Sequence, residues 1–323
     1  MAVLVTGGAG FVGSHLVDRL VSQGRRVVVV DDLSTGRLSN LQRALSSGRV
    51  VFAYGDIAAS TSALADLLNG ALDEPLTTVF HLASPASPEA YGEHPWETLA
   101  ANAIGTMACI ELALEHGAKL LFTSTSEVYG DPLVHPQPET YFGNVNPIGP
   151  RSCYDEGKRF GEAAVAAAMR ARGLDGRIVR IFNGYGPRME RGDGRLIPAL
   201  IAAAHEGRPF PIHGTGAQTR SLTYVDDLVS GILTVANAPL QTPQPVNLGT
   251  DEETSVIDVA RRLATVAGVG FEVEHLPARP EDPQRRRPDP AFAASLGWVA
   301  QTRLDDGLRT THRWFAEEGM AYV

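Results

Sequence analysis

The sequence predicts an α/β protein: a doubly wound parallel sheet followed by a smaller C-terminal α/β region. Three observations lead there. Short all-apolar runs, Val3-Leu4-Val5 and Val27 to Val30 among them, alternate with segments of helical periodicity. Strands so uniformly apolar are buried on both faces, as in a parallel sheet covered by helices. A glycine-rich turn joins the first such run to the first helix, and after residue 183 Gly and Pro crowd the loops and the regular alternation breaks down.

The elements follow in chain order. Residues 12–23 set Val12, Leu16, Val17 and Leu20 at helical spacing between the first two strands. Val50 to Ala53 reads as the next strand, with a helix near 61–70. Thr78 to Leu82 is followed by a helix near 96–116, then Lys119 to Ser124, a helix from about 154 to 172, and Arg177 to Phe182. Strands alternating with helices in this way form βαβ crossovers. Beyond them, helices are expected at about 195–206, 225–238 and 254–267, and the Pro-rich stretches 239–245 and 277–290 read as loops rather than linkers. The division expected is 1–183 for the sheet domain and 184–323 for a smaller region, with some of its segments returning to the sheet.

Composition narrows the function classes. The 323 residues carry a net charge of −9, which disfavours a broad electrostatic surface for nucleic acid or anionic membrane. No apolar run is long enough to span a bilayer, and the N-terminus lacks the basic region of a signal peptide. Cys109 and Cys153 make no disulfide framework, in keeping with a cytoplasmic protein. The dense positive cluster Arg285-Arg286-Arg287 is either a solvated loop or an anion site.

Gly7, Gly10 and Gly13 stand between the first strand and the first helix. Glycine there permits a tight turn and lets backbone approach a pyrophosphate seated on the helix N-terminus, the arrangement of a Rossmann-type fold. The second strand ends in Asp31-Asp32. A carboxylate at that point accepts hydrogen bonds from the adenosine ribose and repels a 2′-phosphate, which favours NAD over NADP. Arg37, in the following loop, is the residue that could instead bind a phosphate.

Tyr154 and Lys158 lie four apart on a predicted helix and so share a face. A tyrosine is a poor base at neutral pH, and a neighbouring Lys⁺ together with the positive nicotinamide would lower its pKa. The preceding strand ends Thr123-Ser124-Thr125-Ser126-Glu127, placing hydroxyls where they can share a substrate proton with Tyr154.

With these residues on the page the chain resembles the extended short-chain dehydrogenase/reductases that modify nucleotide sugars, and within them the UDP-glucuronate decarboxylases (UDP-xylose synthases). The stretches that carry the likeness are HLASPASP (81–88), STSEVYGDP (124–132), GNVNPIGPRSCYDEGKR (143–159), RIFNGYGPRM (180–189), DGR (193–195) and QTRSLTYVDDL (218–228). The resemblance implies NAD as cofactor, held by Gly7, Gly10, Phe11, Val12, Gly13, Asp31, Asp32, Asp56, Ile57, Leu82, Ala83 and Lys158. It implies that Tyr154 takes the sugar O4 proton as the C4 hydride passes to NAD⁺, that the resulting 4-keto sugar loses its C6 carboxylate as CO₂, and that C5 is reprotonated. Thr125 would bond O4, and Glu127 would sit beside C5 and C6, where it orients the ring or helps manage the C5 proton through water. Ser126 precedes Glu127 where the related 4,6-dehydratases have Asp, which disfavours dehydration. Simple 4-epimerases usually have a small uncharged residue in place of Glu127.

The UDP-sugar would be held by Pro85, Ser126, Asn183, Arg188, Arg195 and Arg220, and by one of Arg279, Arg285 and Arg286, since an arginine fork suits phosphate oxygens. Arg188 reads equally as a structural ion pair. Gly184, His213 and the segment 279–282 depart from the decarboxylase pattern and leave the substrate details open. The alternatives are a UDP-glucuronate or UDP-glucose 4-epimerase and a non-catalytic NAD(H)-binding sensor. A homodimer is implied, packed through the helices near 96–116 and 154–172, with small residues from Ala163 to Ala168 on the second. No metal site is expected.

Overall fold

The computed structural model describes residues 1–317 apart from Thr61, Asn69, Leu72, Asp73 and Pro280. Its first part runs β1 (Ala2–Thr6), α1 (Phe11–Ser22), β2 (Arg26–Asp31), α2 (Gln42–Leu45), β3 (Val50–Tyr54), α3 (Ala63–Leu68), β4 (Leu76–His81), α4 (Pro88–Glu93), α5 (Pro95–Ala100), α6 (Thr106–His116), β5 (Lys119–Thr125), α7 (Ser152–Arg172) and β6 (Gly176–Ile181). There follow β7 (Gly184–Tyr185), α8 (Leu196–Glu206), β8 (Phe210–His213), β9 (Thr219–Arg220), β10 (Thr223–Tyr224), α9 (Val225–Asn237), β11 (Val246–Leu248), β12 (Thr254–Ser255), α10 (Val256–Ala267), β13 (Val273–Leu276), α11 (Ala291–Ser295) and α12 (Leu304–Glu317).

Seven parallel strands form one sheet in the order β11-β6-β5-β4-β1-β2-β3, and short strand pairs β7–β10, β8–β13 and β9–β12 build the C-terminal region. Strand order reverses between β1 and β4, which opens a crevice at their C-terminal ends. The apolar runs of β1 and β2 are buried on both faces as expected, whereas β3, at the edge of the sheet, exposes Val51. On β1 and β2, Val3, Val5, Val27 and Val29 enter one apolar core while Leu4, Val28 and Val30 enter the other.

The structure adds detail to the sequence reading in three places. The helix expected near 96–116 is broken: Ala101–Gly105 forms a π-helical turn between α5 and α6. There the Asn102 amide donates to Thr98 O (2.8 Å) and to Ser84 Oγ (2.9 Å), so a polar side chain competes for the helix's own carbonyls. The seventh strand, Val246–Leu248, is too short to mark itself by periodicity, yet it pairs with β6 and brings the C-terminal half back to the sheet. The helix expected near 61–70 runs over Ala63–Leu68, and residues 61 and 69 of that expectation lie outside the described set.

Helix α7 lies close on the sheet because Gly161 faces Phe122. A Cβ at Gly161 would come within 2.3 Å of the ring. That close approach packs α7 on β5, and Lys158 one turn earlier reaches the Thr123 carbonyl. No helix among the described residues is long and apolar enough to cross a membrane.

Candidate active site

A cleft of about 1310 Å³ opens at the C-terminal ends of the sheet strands, between the sheet and the C-terminal region. Every residue expected to bind cofactor borders it, as do Tyr154, Thr125, Glu127, Pro85, Ser126, Asn183, Arg188, Arg195, Arg220, Arg279 and Arg286.

Its cofactor arm is shaped by backbone. Gly7 has a left-handed φ of 70°, and a Cβ at Gly13 would lie 2.1 Å from the Gly7 carbonyl oxygen, so the turn tolerates no side chain at either position. Gly10 caps α1 without a side-chain hydrogen bond, which leaves the first N–H groups of the helix directed at the cleft. Asp31 accepts from the N–H groups of Ala9 and Leu33, both at 2.9 Å, and burial pushes its carboxyl above the usual range. Asp32 is exposed and accepts from Ser34, while Asp56 accepts from the Ala58 N–H. Phe11, Val12, Ile57, Leu82 and Ala83 supply apolar walls. A side-chain-free cradle at a helix N-terminus, followed by paired acids at the end of β2, fits NAD. Arg37 is bound to Glu190, so the phosphate-binding alternative for it has no free guanidinium behind it.

The candidate chemical centre sits where β5 meets α7. Tyr154 and Lys158 are both buried and one turn apart, so they project together. Lys158 Nζ donates to Thr123 O at 2.8 Å and lies 5.8 Å from the Tyr154 ring centre. Burial, opposed only by Glu162, lowers the Lys158 ammonium to about 7. Burial and then the Glu127 charge push the Tyr154 phenol above its ordinary value, and the hydrogen-bonded Thr125 hydroxyl pulls the other way. In the protein without cofactor, burial outweighs any acidifying effect of Lys158 on Tyr154; the expectation joined Lys158 to the positive nicotinamide, which is the charge that bound NAD⁺ would add. Tyr91 stacks flat on Tyr154, with ring centres 5.2 Å apart and planes at 10°.

Thr125 also caps the turn Ser126–Tyr129, its Oγ1 accepting from the Glu127 N–H at 3.2 Å. That turn aims Glu127 inward. Burial opposes its ionisation, but Arg286 and Arg151 outweigh it and hold the carboxyl below the usual range. Arg151 pairs with one carboxylate oxygen and Arg286 Nη1 approaches the other at 3.5 Å. Neither Arg151 nor Tyr91 was anticipated. Arg151 stands one turn before Tyr154 and could have been found from that spacing. Tyr91 sits on a short helix with no periodic signature, and nothing local marks it.

On the substrate side, Asn183 Oδ1 and Arg286 Nε are buried without a hydrogen-bond partner. Arg220 is buried, pairs with Asp282 at 2.6 Å and donates to Pro283 O. Arg279 donates to Gly194 O at 2.8 Å and faces Glu89. Arg195 is tied to Asp193 and lies over the Phe11 ring. Arg188 holds Asp18 at 2.6 Å, in accord with its ion-pair reading. Of the three arginines in question, Arg279 and Arg286 border the cleft; Arg285 does not and turns toward Glu253. Gly184 and His213 also border the cleft, and His213 Nδ1 meets Pro277 O. Pro280, within the segment 279–282, lies outside the described residues. No cluster of metal-ligating side chains occurs among the described residues.

Residues 3–249 match the NAD dependent epimerase/dehydratase family. The chain is 44% identical over 321 residues to UDP-glucuronic acid decarboxylase 1 of Xenopus tropicalis, covering 98% of this chain and 72% of that one. It is 41% identical over 314 residues to UDP-glucuronic acid decarboxylase 3 of Arabidopsis thaliana, covering 95% and 87%. Among solved structures, UDP-glucose 4-epimerase of Thermotoga maritima with UDP-glucose superposes with a TM-score of 0.89 at 30% identity, over 98% of this chain and 99% of that one. The dTDP-glucose 4,6-dehydratase of Streptomyces venezuelae with NAD bound gives 0.88 at 28%, over 100% and 99%. Joined to the glycine cradle and the paired Tyr154 and Lys158, these likenesses mean that the chain belongs to the NAD dependent epimerase/dehydratase family.

Proposed function

We propose that the protein is an NAD-dependent UDP-glucuronate decarboxylase that works through a UDP-4-keto intermediate to give UDP-xylose, UDP-4-keto-pentose or both. The observation that carries this reading is the clamp on Glu127. A carboxylate is held ionised beside Tyr154 by Arg151 and Arg286, and Ser126 stands before it. Position 126, where the related dehydratases carry the Asp that protonates a departing C6 hydroxyl, is therefore without an acid. The identity of 41–44% to curated UDP-glucuronic acid decarboxylases over nearly the whole chain supports the same reading.

Bound NAD supplies the acceptor, and later the donor, of the C4 hydride. Tyr154 Oη takes the sugar O4 proton and returns it, with Thr125 fixing the hydroxyl geometry. Once C4 is a ketone, the C6 carboxylate lies β to it and the C5–C6 pair can enter an enolate. Arg286, whose Nε is buried and unpartnered, is assigned to the sugar carboxylate. Arg220 and Arg279 are assigned to the diphosphate, with Asn183 and Pro85 on the sugar. Residues 1–183 form the cofactor half and 184–323 most of the nucleotide-sugar half.

The reading extends to a cytoplasmic homodimer. Ile104 on the π-helical turn, Met107 on α6 and Phe160 on α7 are exposed on one helical layer with Ala163 and Ala167. Exposed apolar side chains next to small ones suit a second copy of the same face. Purified protein incubated with UDP-glucuronate, with and without added NAD⁺, tests the activity by product mass. Loss of CO₂ is expected. An unchanged mass at a new retention time would establish a 4-epimerase instead.

A further inference from the structure

Loss of CO₂ from a carboxylate consumes one proton: the C5–C6 pair passes into the enolate, and C5 must then gain a hydrogen. Tyr154 cannot be the net source, because the proton it takes from O4 goes back to O4. Resting on the decarboxylase reading, we propose that Asp155 stores the proton destined for C5 and passes it through Glu127.

Asp155 lies on the first turn of α7, buried behind Glu127 and away from the cleft lining. Its Oδ1 is buried with no hydrogen-bond partner, as suits a carboxyl that carries a proton rather than a charge, and the neighbouring Glu127 carboxylate is the charge that acts on it. Two carboxylates in contact cannot both ionise cheaply, so the pair holds one proton. The groups around Asp155 divide the roles. Arg151, from the start of α7, and Arg286, from the C-terminal loop, both grip Glu127 and keep the charge there. Burial and the Glu127 charge push Asp155 up to about 8. Tyr91 on α4, with Cys153 and Tyr154 on α7, are all pushed upward by burial and hold their protons more tightly than usual. Asp155 is thus the acid of this cluster that is loaded at neutral pH and still able to give its proton up.

The step balances. CO₂ leaves and the C5–C6 electrons form the enolate. The proton crosses from Asp155 to Glu127, the enolate pair bonds it at C5, and the C4 ketone is restored. Asp155 is left as a carboxylate and recovers a proton from water. Asp155 is a positioning and proton-holding residue that acts through Glu127, which itself meets the sugar.

The test compares wild-type and Asp155→Asn holoenzyme with UDP-glucuronate. Wild-type turnover should fall as pH rises through about 8, where Asp155 empties. Asp155→Asn should be slower by about 100-fold, the scale of general acid catalysis, should lose that basic limb, and should accumulate reduced cofactor absorbing near 340 nm. A variant that keeps the limb or the wild-type rate overturns the proposal. Infrared spectra of the wild type give a measurement independent of the variant's folding. A protonated-carboxyl band at pH 7 that disappears above pH 8 supports the store, and absence of the band overturns it. Wild-type enzyme that leaves the mass of UDP-glucuronate unchanged defeats the decarboxylase reading, a result distinct from any behaviour of the variant.

Discussion

Arg37 reaches across the mouth of the cleft and takes Glu190 in a two-pronged pair, Nε to Oε2 and Nη2 to Oε1, each at 2.6 Å. The two residues come from opposite sides of the cofactor arm, Arg37 from the loop after β2 and Glu190 from the loop before α8. Glu190 therefore occupies the one guanidinium that the loop after β2 offers to a 2′-phosphate, while Asp31 and Asp32 repel one.

Glu190→Ala should free Arg37 and tighten NADP binding by roughly tenfold, about 1.4 kcal/mol, while leaving NAD binding little changed. Titration of the cofactor-free protein with both nucleotides checks this. Stability should fall by less than about 1 kcal/mol, since the pair is solvent-exposed. An unaltered NADP affinity would mean that the aspartates alone set the preference.

Lys158 predicts a pH-dependent stability. Its folded pKa, lowered to about 7 by burial, is below that of the unfolded chain. Below pH 7 both states are charged and the folded one bears the full cost of burying the ammonium. Between about 7 and about 10.4 the unfolded state binds the extra proton, so this residue's contribution to stability rises with pH. Lys158→Met, inactive, should melt above the wild type at pH 6 in the cofactor-free form, and the gap should close toward pH 10. Parallel melting curves across that range would contradict the assignment.

What was legible in the sequence follows the same division between local and distant contacts. The strands β1 to β6 and the helices α1, α7, α8, α9 and α10 announce themselves because each carries its apolar pattern within its own span. Tyr154 and Lys158 share a helix, and the glycine turn is contiguous, so spacing alone located both. The clamp on Glu127 was not legible. Arg286 lies 159 residues away from Glu127, and nothing in its own neighbourhood tells it from Arg285. The return of Val246–Leu248 to the sheet depends likewise on pairing with β6 rather than on its three residues. The upward push of burial on Tyr154 in the cofactor-free protein was likewise not legible: spacing reports which groups are near, and burial decides how much charge they carry.

Gly13→Ala places a methyl 2.1 Å from the Gly7 carbonyl oxygen, a distance only backbone movement can relieve. Moving that turn shifts the N–H groups at the start of α1, so NAD affinity should drop by at least about 100-fold, near 2.7 kcal/mol. The sheet behind it should still form. Calorimetric titration of the folded variant with NAD would show the loss, and retained affinity would place the cofactor elsewhere in the cleft.

Tyr154→Phe isolates one hydroxyl. The ring stays buried against Tyr91, and the stack, worth about 0.5–1.5 kcal/mol, is preserved, so the variant should fold with nearly the wild-type melting temperature. On the proposed reading the lost group is the acceptor for the O4 proton. Without it C4 cannot be oxidised, and kcat should fall by at least about 1000-fold while UDP-glucuronate binding changes little. Tyr91→Leu makes the complementary change: Tyr154 keeps its hydroxyl but loses the flat surface that fixes its ring. Its kcat should fall by about tenfold to 100-fold, with a lower melting temperature, because a misplaced base still works part of the time. If Tyr154→Phe turned over at near the wild-type rate, the proton acceptor would have to be another group, and Thr125 with Lys158 would be the pair to examine.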